Sequence, residues 1–219
     1  MLSLEGRDID RVLIVDDDPE ARELYAAYVE DARLEPVLAE ERYNSVEQLL
    51  KTADDASAQA IVCDFHLSVR NYASFDGASA VARWYERSTP ALLCTNFEKA
   101  QVDEMRRWRH QIPVLMRPDE FDSDAFIDGI RACLKEFRGE YRLTREPFRT
   151  LVRVIDRDER AMYVQVPGWY EPSTAIDLLK VAVPSAVWAA AAPDRRFHAK
   201  VNIGATRMEE LYFKDWELG

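Results

Sequence analysis

Glycine is scarce in this chain, seven residues among 219, and cysteine scarcer still, with three. So little glycine, beside ten prolines, leaves no room for collagen-like tracts or low-complexity linkers, and no internal repeat is visible. Cys63, Cys94 and Cys133 form no CxxC pair and sit in apolar surroundings, which argues for reduced core thiols rather than disulfides or zinc. No apolar run approaches the roughly 20 residues of a membrane span. The opening MLSLEGRDID also lacks the basic-then-apolar layout of a signal peptide, so no membrane association and a cytoplasmic location are expected.

A basic excess is missing as well. The formal net charge is -11. Residues 1–140 carry 17 Lys/Arg against 29 Asp/Glu, and residues 141–219 carry 12 against 11. Phosphate backbones are met by basic faces, so an acidic body with a near-neutral remainder speaks against nucleic acid as a partner.

What is present is alternation. Over residues 1–138, short apolar runs alternate with amphipathic stretches, the signature of an α/β unit with a parallel sheet. RVLIV (11–15), EPVLAE (35–40), QAIVCDF (59–65), PALLCT (90–95) and IPVLMR (112–117) read as strands. Helices are expected over 19–32, 44–53, 77–87, 98–109 and 123–137. In the first of these, Leu24, Tyr25, Tyr28 and Val29 fall at helical spacing, Asp18 suits the N-cap and Pro19 the first turn. In the last, Phe126, Ile127, Ile130, Leu134 and Phe137 share one face. The basic EMRRWRH (104–110) reads as a solvated helix face.

Residues 139–147 are charged and apolar-poor, a linker, and beyond them the period changes. A hairpin over 148–169 is followed by strands over 175–183, 196–204 and 210–218, with a short helix over 184–192 between them. That is a small all-β barrel, OB-like or SH3-like. Trp169, Tyr170, Trp188, Phe197, Tyr212, Phe213 and Trp216 are expected in or beside its core.

The first unit has its chemistry at strand ends. In an open α/β sheet, ligands bind outside the carboxyl ends of the strands where the strand order reverses. Asp16 and Asp17 end the first strand, Asp64 the third, Thr95 the fourth and Arg117 the fifth. The ordered set VLIVDDDP, IVCDF, LLCT and MRP, over residues 12–118, resembles the receiver domain of two-component response regulators. This implies a five-stranded, doubly wound, flavodoxin-like domain over 1–138, and a phosphorelay role.

The resemblance further implies that Asp64 is the phosphoacceptor. Asp16, Asp17, Asp64 and the backbone carbonyl of His66 would hold Mg²⁺, and Thr95 would bond a phosphoryl oxygen. A hard cation with oxygen ligands relieves carboxylate repulsion and neutralises charge on phosphoryl oxygens. The implied partner is a histidine kinase or phosphotransfer protein; beside it, a protein effector reached through the C-terminal barrel is expected, and a homodimer is compatible with the reading. The surface around the helices over 98–109 and 123–137 would change its affinity on phosphorylation.

Three departures from the family stand out. Arg117 replaces the usual lysine, so a planar fork stands where a compact ammonium is customary. Val114 occupies the position of the aromatic switch. HLSVRNYASFD (66–76), carrying Tyr72 and Phe75, is longer than the usual loop. Two other readings keep the same residues. In a pseudo-receiver scaffold, Arg117 locks the acid pocket and binding is constitutive. A haloacid-dehalogenase-type phosphatase would use Asp16 as nucleophile and Asp18 as acid/base. Residues 141–219 offer no second catalytic set, so an enzymatic effector is not expected.

Overall fold

The computed structural model describes residues 1–96 and 105–218. The described residues form two compact units, 1–96 with 111–140, and 105–110 with 141–218. The helix expected over 98–109 falls largely outside the described residues.

The first unit opens with a hairpin that the alternation did not announce, β1 (Leu2–Leu4) and β2 (Arg7–Ile9). Its two-residue turn, Glu5 and Gly6, has φ of 50° and 80°. Positive φ at both positions suits the twist of paired strands, although Asn-Gly or Asp-Gly is the usual choice. Arg138 compensates by bonding both the carbonyl and the carboxylate of Glu5.

Next come β3 (Arg11–Val15), α1 (Pro19–Asp31), β4 (Glu35–Leu38), α2 (Val46–Asp55), β5 (Ala60–Asp64), α3 (Gly77–Glu86) and β6 (Ala91–Cys94). After the undescribed stretch follow β7 (Val114–Met116) and α4 (Ser123–Glu136). The sheet order β4-β3-β5-β6-β7 is parallel throughout. In chain order this is 2-1-3-4-5, the flavodoxin-like doubly wound arrangement. Val12, Leu13 and Ile14 are fully buried, as a strand covered on both faces requires.

Helix starts follow sequence chemistry. Asp18, Ser45, Asp76 and Asp122 each cap a helix by accepting a backbone N–H in its first turn. In α1, Tyr25 and Val29 are buried, but Leu24 is 50% exposed, and the third buried position is Arg22. Phe126, Ile130 and Leu134 of α4 are buried against the sheet, with Ile127 and Phe137 at the margin. Cys63, Cys94 and Cys133 are buried free thiols.

The second unit comprises β8 (Phe148–Arg157), β9 (Ala161–Gln165), β10 (Ile176–Leu179), α5 (Ser185–Ala190), β11 (Arg196–Val201) and β12 (Phe213–Glu217). Its antiparallel sheet runs β10-β9-β8-β11-β12. Three hairpin-linked strands and a fourth that returns beside the first make a Greek key, and the five strands curl into a half-barrel that fits the expected barrel-like domain. The run 175–183 is shorter as a strand than its hydrophobicity suggested, because residues 180–182 turn into a 3₁₀ helix. Trp169, Phe197, Tyr212 and Phe213 are buried. Trp188 and Trp216 pack at the core margin, whereas Tyr170 is 61% exposed.

Within the expected basic face, the described residues 105–110 are mostly turned away from solvent, with Arg107 the exposed one. Arg106 and Arg109 are buried, and the Arg106 guanidinium donates to the carbonyls of Met208 and Leu211, each at 3.0 Å. These bonds repay the burial of a charge that polar surface would otherwise have kept in water. Residues 141–147 fall in the second unit and bond within it. The Arg145 side chain is buried and donates to the carbonyls of Arg109 and His110, and Tyr212 Oη donates to the Arg145 carbonyl at 2.5 Å.

Candidate metal and phosphoryl site

Strand order reverses between β3 and β5. Their adjacent carboxyl ends therefore open a crevice, and each run ends in aspartate there. Asp16 and Asp17 follow β3, and Asp64 is the last residue of β5. One carboxylate oxygen from each of Asp16, Asp17 and Asp64 can be chosen so that all three lie within 4.8 Å of one another.

The three consecutive aspartates divide the work. Asp16 is buried, and its Oδ1 accepts the Asp18 N–H at 2.8 Å, which turns the chain toward α1. Burial first, and then the charges of Asp64, Asp17 and Asp18, push the Asp16 carboxyl up to about 7 against the pull of that hydrogen bond. Asp18 caps α1 by accepting the Glu20 N–H at 3.1 Å, with Pro19 in the first turn. Asp17 accepts the Arg70 N–H at 3.1 Å.

Asp64 lies between solvent and core. Its Oδ2 accepts the His66 N–H at 2.6 Å, and burial raises its pKa, opposed by backbone hydrogen bonds from His66 and Phe65. His66 thus meets the site through its amide, while its ring packs edge-on against Phe65 at 4.9 Å. Crowded hard oxygen donors, one of them driven toward its neutral form by burial and like charge, are a donor set that fits a divalent cation.

Thr95 and Arg117 follow β6 and β7, at the same end of the parallel sheet. Thr95 is buried, its N–H donates to the Met116 carbonyl at 3.0 Å, and its Oγ1 has no hydrogen-bond partner. Arg117 is exposed, and its N–H is capped by Glu120 Oε2 at 2.9 Å. Val114 is buried in the core.

Arg70, Arg22 and Gly77 were not singled out from sequence. Both terminal nitrogens of Arg70 reach the Asp18 carboxylate, each at 3.2 Å, so the 66–76 loop is tied to the acidic turn at two points. Arg22 donates to the Asp16 carbonyl at 2.5 Å and lies 5.8 Å from the Tyr72 ring centroid. Tyr72 Oη in turn donates to the Ala39 carbonyl at 2.7 Å, which anchors the long loop from inside. A signal for Arg22 existed: it shares the helical face of Tyr25 and Val29.

No protein-family model and no curated protein sequence matches the chain. Solved structures similar to it include the signal receiver domain of an HD domain-containing protein from Pseudomonas fluorescens Pf-5, at 15% identity and a TM-score of 0.46, covering 61% of this chain and 93% of that one. The receiver domain of the Francisella response regulator 1452 is 16% identical with a TM-score of 0.42, covering 58% and 98%. The Vibrio cholerae chemotaxis protein CheY4 is 19% identical with a TM-score of 0.43, covering 58% and 100%. The similarity to receiver domains takes in about three fifths of the chain and leaves the C-terminal part unmatched. Among the described residues, no helix is long and apolar enough to cross a membrane.

Proposed function

We propose that the first unit is a phosphoryl-accepting signalling module and that Asp64 is its nucleophile. The observation that carries this reading is the meeting of Asp16, Asp17 and Asp64 within 4.8 Å at the strand-order reversal. A bare carboxylate trio is costly there, and it becomes favourable when a cation and a phosphoryl group share the crevice.

Asp16, Asp17 and Asp64 would hold Mg²⁺, with the His66 carbonyl as the further oxygen. When bound, the ion supplies positive charge that lowers repulsion between the carboxylate and the incoming phosphoryl oxygens. The Asp64 carboxylate attacks phosphorus of a phosphohistidine on a kinase or phosphotransfer protein. An O–P bond forms, the P–N bond breaks, and the departing imidazole nitrogen takes a proton from water. The His66 amide orients the attacking carboxylate. The buried hydroxyl of Thr95 is the group that answers, since a phosphoryl oxygen gives it the acceptor it lacks. Arg117 provides the positive charge that the family takes from lysine. The second unit serves as the output, meeting a protein effector.

The test is intact mass after incubation with Mg²⁺ and acetyl phosphate. One phosphoryl group is expected on the wild type and none on Asp64→Asn. Phosphorylation is expected to change the tryptophan fluorescence of the wild type, and Thr95→Val, which keeps the volume, should still accept the group but lose that change. A chain that takes up no phosphoryl group and shows no Mg²⁺ affinity would leave the fold without this chemistry.

A further inference from the structure

The second unit contains a cleft of about 520 Å³, within the range of small-molecule sites. Its apolar walls come from Val181, Val183, Pro184 and Val187 on one side and from Phe213 and Trp216 on the other. Val181 is 63% exposed and Leu218, at the rim, 45%. Two exposed large aliphatic side chains at the mouth of one cleft are an invitation to an apolar ligand rather than a random scatter.

Polar groups converge on the same place, and they are predominantly cationic or hydrogen-bond donors. Arg107 and Lys214 line the cleft, the first 4.4 Å from the centroid of the Trp108 ring and the second 5.7 Å from that of Tyr141, and among the described residues neither is paired with a carboxylate. The one lining carboxylate, Asp215, is already bonded to Lys200 at 2.9 Å. Trp216 Nε1 is buried with no acceptor, although an indole N–H can only donate and normally finds a partner when buried. His110 Nδ1 is likewise buried and unpartnered.

The backbone is shaped to put these groups together. Between the pairs His198↔Glu217 and Lys200↔Lys214, two residues of β12 oppose one of β11, so Asp215 and Trp216 form a bulge. Asp215 takes φ of 50°, a left-handed conformation that, after glycine, asparagine and aspartate adopt most readily. Bulges re-aim side chains, and this one brings Lys214, Asp215 and Trp216 onto one cleft. Trp216 stays in place by stacking on Phe213, with ring centroids 5.7 Å apart at 17°.

From the apolar walls, the two cations that no carboxylate neutralises among the described residues and the orphaned indole N–H, we infer that this cleft binds a small monoanion with an apolar body, of the class of medium-chain or aromatic carboxylates. The hydrocarbon lies against Val181, Val187 and Trp216, and the carboxylate answers Lys214 and Arg107 and accepts from Trp216 Nε1. Such a ligand would give the second unit an input of its own, separate from the acidic crevice of the first.

The test uses the full chain, with its fold verified by circular dichroism. 8-Anilinonaphthalene-1-sulfonate is the fluorescent probe, displaced by octanoate, octanol or octylamine. One saturable site is expected, from which octanoate displaces the probe and octylamine does not. Lys214→Gln combined with Arg107→Gln should weaken octanoate at least tenfold while leaving octanol nearly unchanged. Val181→Asp, at an exposed position, should weaken the probe without unfolding the chain. In ¹H–¹⁵N spectra the indole N–H resonance absent from Trp216→Phe should shift with octanoate. Absence of saturable binding, or binding indifferent to these substitutions, overturns the site. Equal displacement by octanol and octanoate overturns the anion.

Discussion

The Cα of Gly77 packs so tightly against the backbone of Asp64 that a methyl group there would stand 1.8 Å from the Asp64 carbonyl oxygen. Gly77 has ordinary helical φ, so its glycine is required by this contact and not by backbone conformation. The obstruction is backbone, which cannot swing aside as a side-chain tip would. Gly77→Ala should therefore cost about 1–3 kcal/mol in urea denaturation, as overpacking does. It should also lower phosphorylation of Asp64, because α3 must retreat or the end of β5 must shift. A variant of wild-type stability and full reactivity would show that α3 moves freely.

Asp16→Asn separates the electrostatic cost of the acidic crevice from its use. The amide oxygen can still accept the Asp18 N–H, while the buried charge beside Asp17 and Asp64 is gone. At pH 8 without metal, the variant should be more stable than wild type by about 1–2 kcal/mol, the usual scale for relieving a buried like charge. Added Mg²⁺ should raise the melting temperature of wild type and leave that of the variant nearly unmoved. Differential scanning calorimetry with EDTA and with Mg²⁺ measures both effects.

Much of the crevice was legible in sequence because parallel strands put their final residues at one sheet end. RVLIVDD and IVCD therefore identified Asp16, Asp17 and Asp64 without tertiary information. Periodicity failed where a charged side chain was buried. Arg106, Arg109 and Arg145 stand in charged stretches, yet their guanidinium or main-chain groups are held by backbone carbonyls or side chains far away in sequence, and no local pattern encodes those partners. The β1–β2 hairpin escaped because Glu-Gly is a weak turn signal whose support, Arg138, lies 133 residues on. The bulge at Asp215 was invisible for the same reason, since only pairing with β11 defines it.

Arg70 sits where a cation's charge would compete with its own. Its guanidinium meets Asp18 and its amide meets Asp17. Both partners of the ion pair are substantially exposed, so its loss should change stability by under about 1 kcal/mol. Arg70→Ala should instead tighten Mg²⁺ binding severalfold at low ionic strength, because a positive charge leaves the neighbourhood of the ligands. The difference should shrink at 0.5 M salt, roughly five times the ionic strength at which the Debye length is about 10 Å. Titration by isothermal calorimetry at two salt concentrations measures it. Weaker binding in the variant would mean that Arg70 serves to order the loop.

His110 makes the stability of the second unit depend on pH. Burial lowers its pKa, aided by the charges of Lys214 and Arg145 and opposed by Asp215. The unfolded chain has a histidine near the ordinary value of about 6.5. Below that pH the unfolded state binds the proton more readily than the folded one, so stability rises with pH and is lost as pH falls through about 6.5 toward the lowered folded value. The contribution is fully present above about pH 7. Urea denaturation followed by tryptophan fluorescence should show this fall between pH 7 and 5, and the fall should be shallower in His110→Gln. The comparison isolates His110, because other titrating groups are common to both chains. An anion seated beside Lys214 would offset part of the positive charge around the imidazole and raise its pKa. Octanoate should accordingly protect the wild type more at pH 5.5 than at pH 8, and His110→Gln should lose that difference.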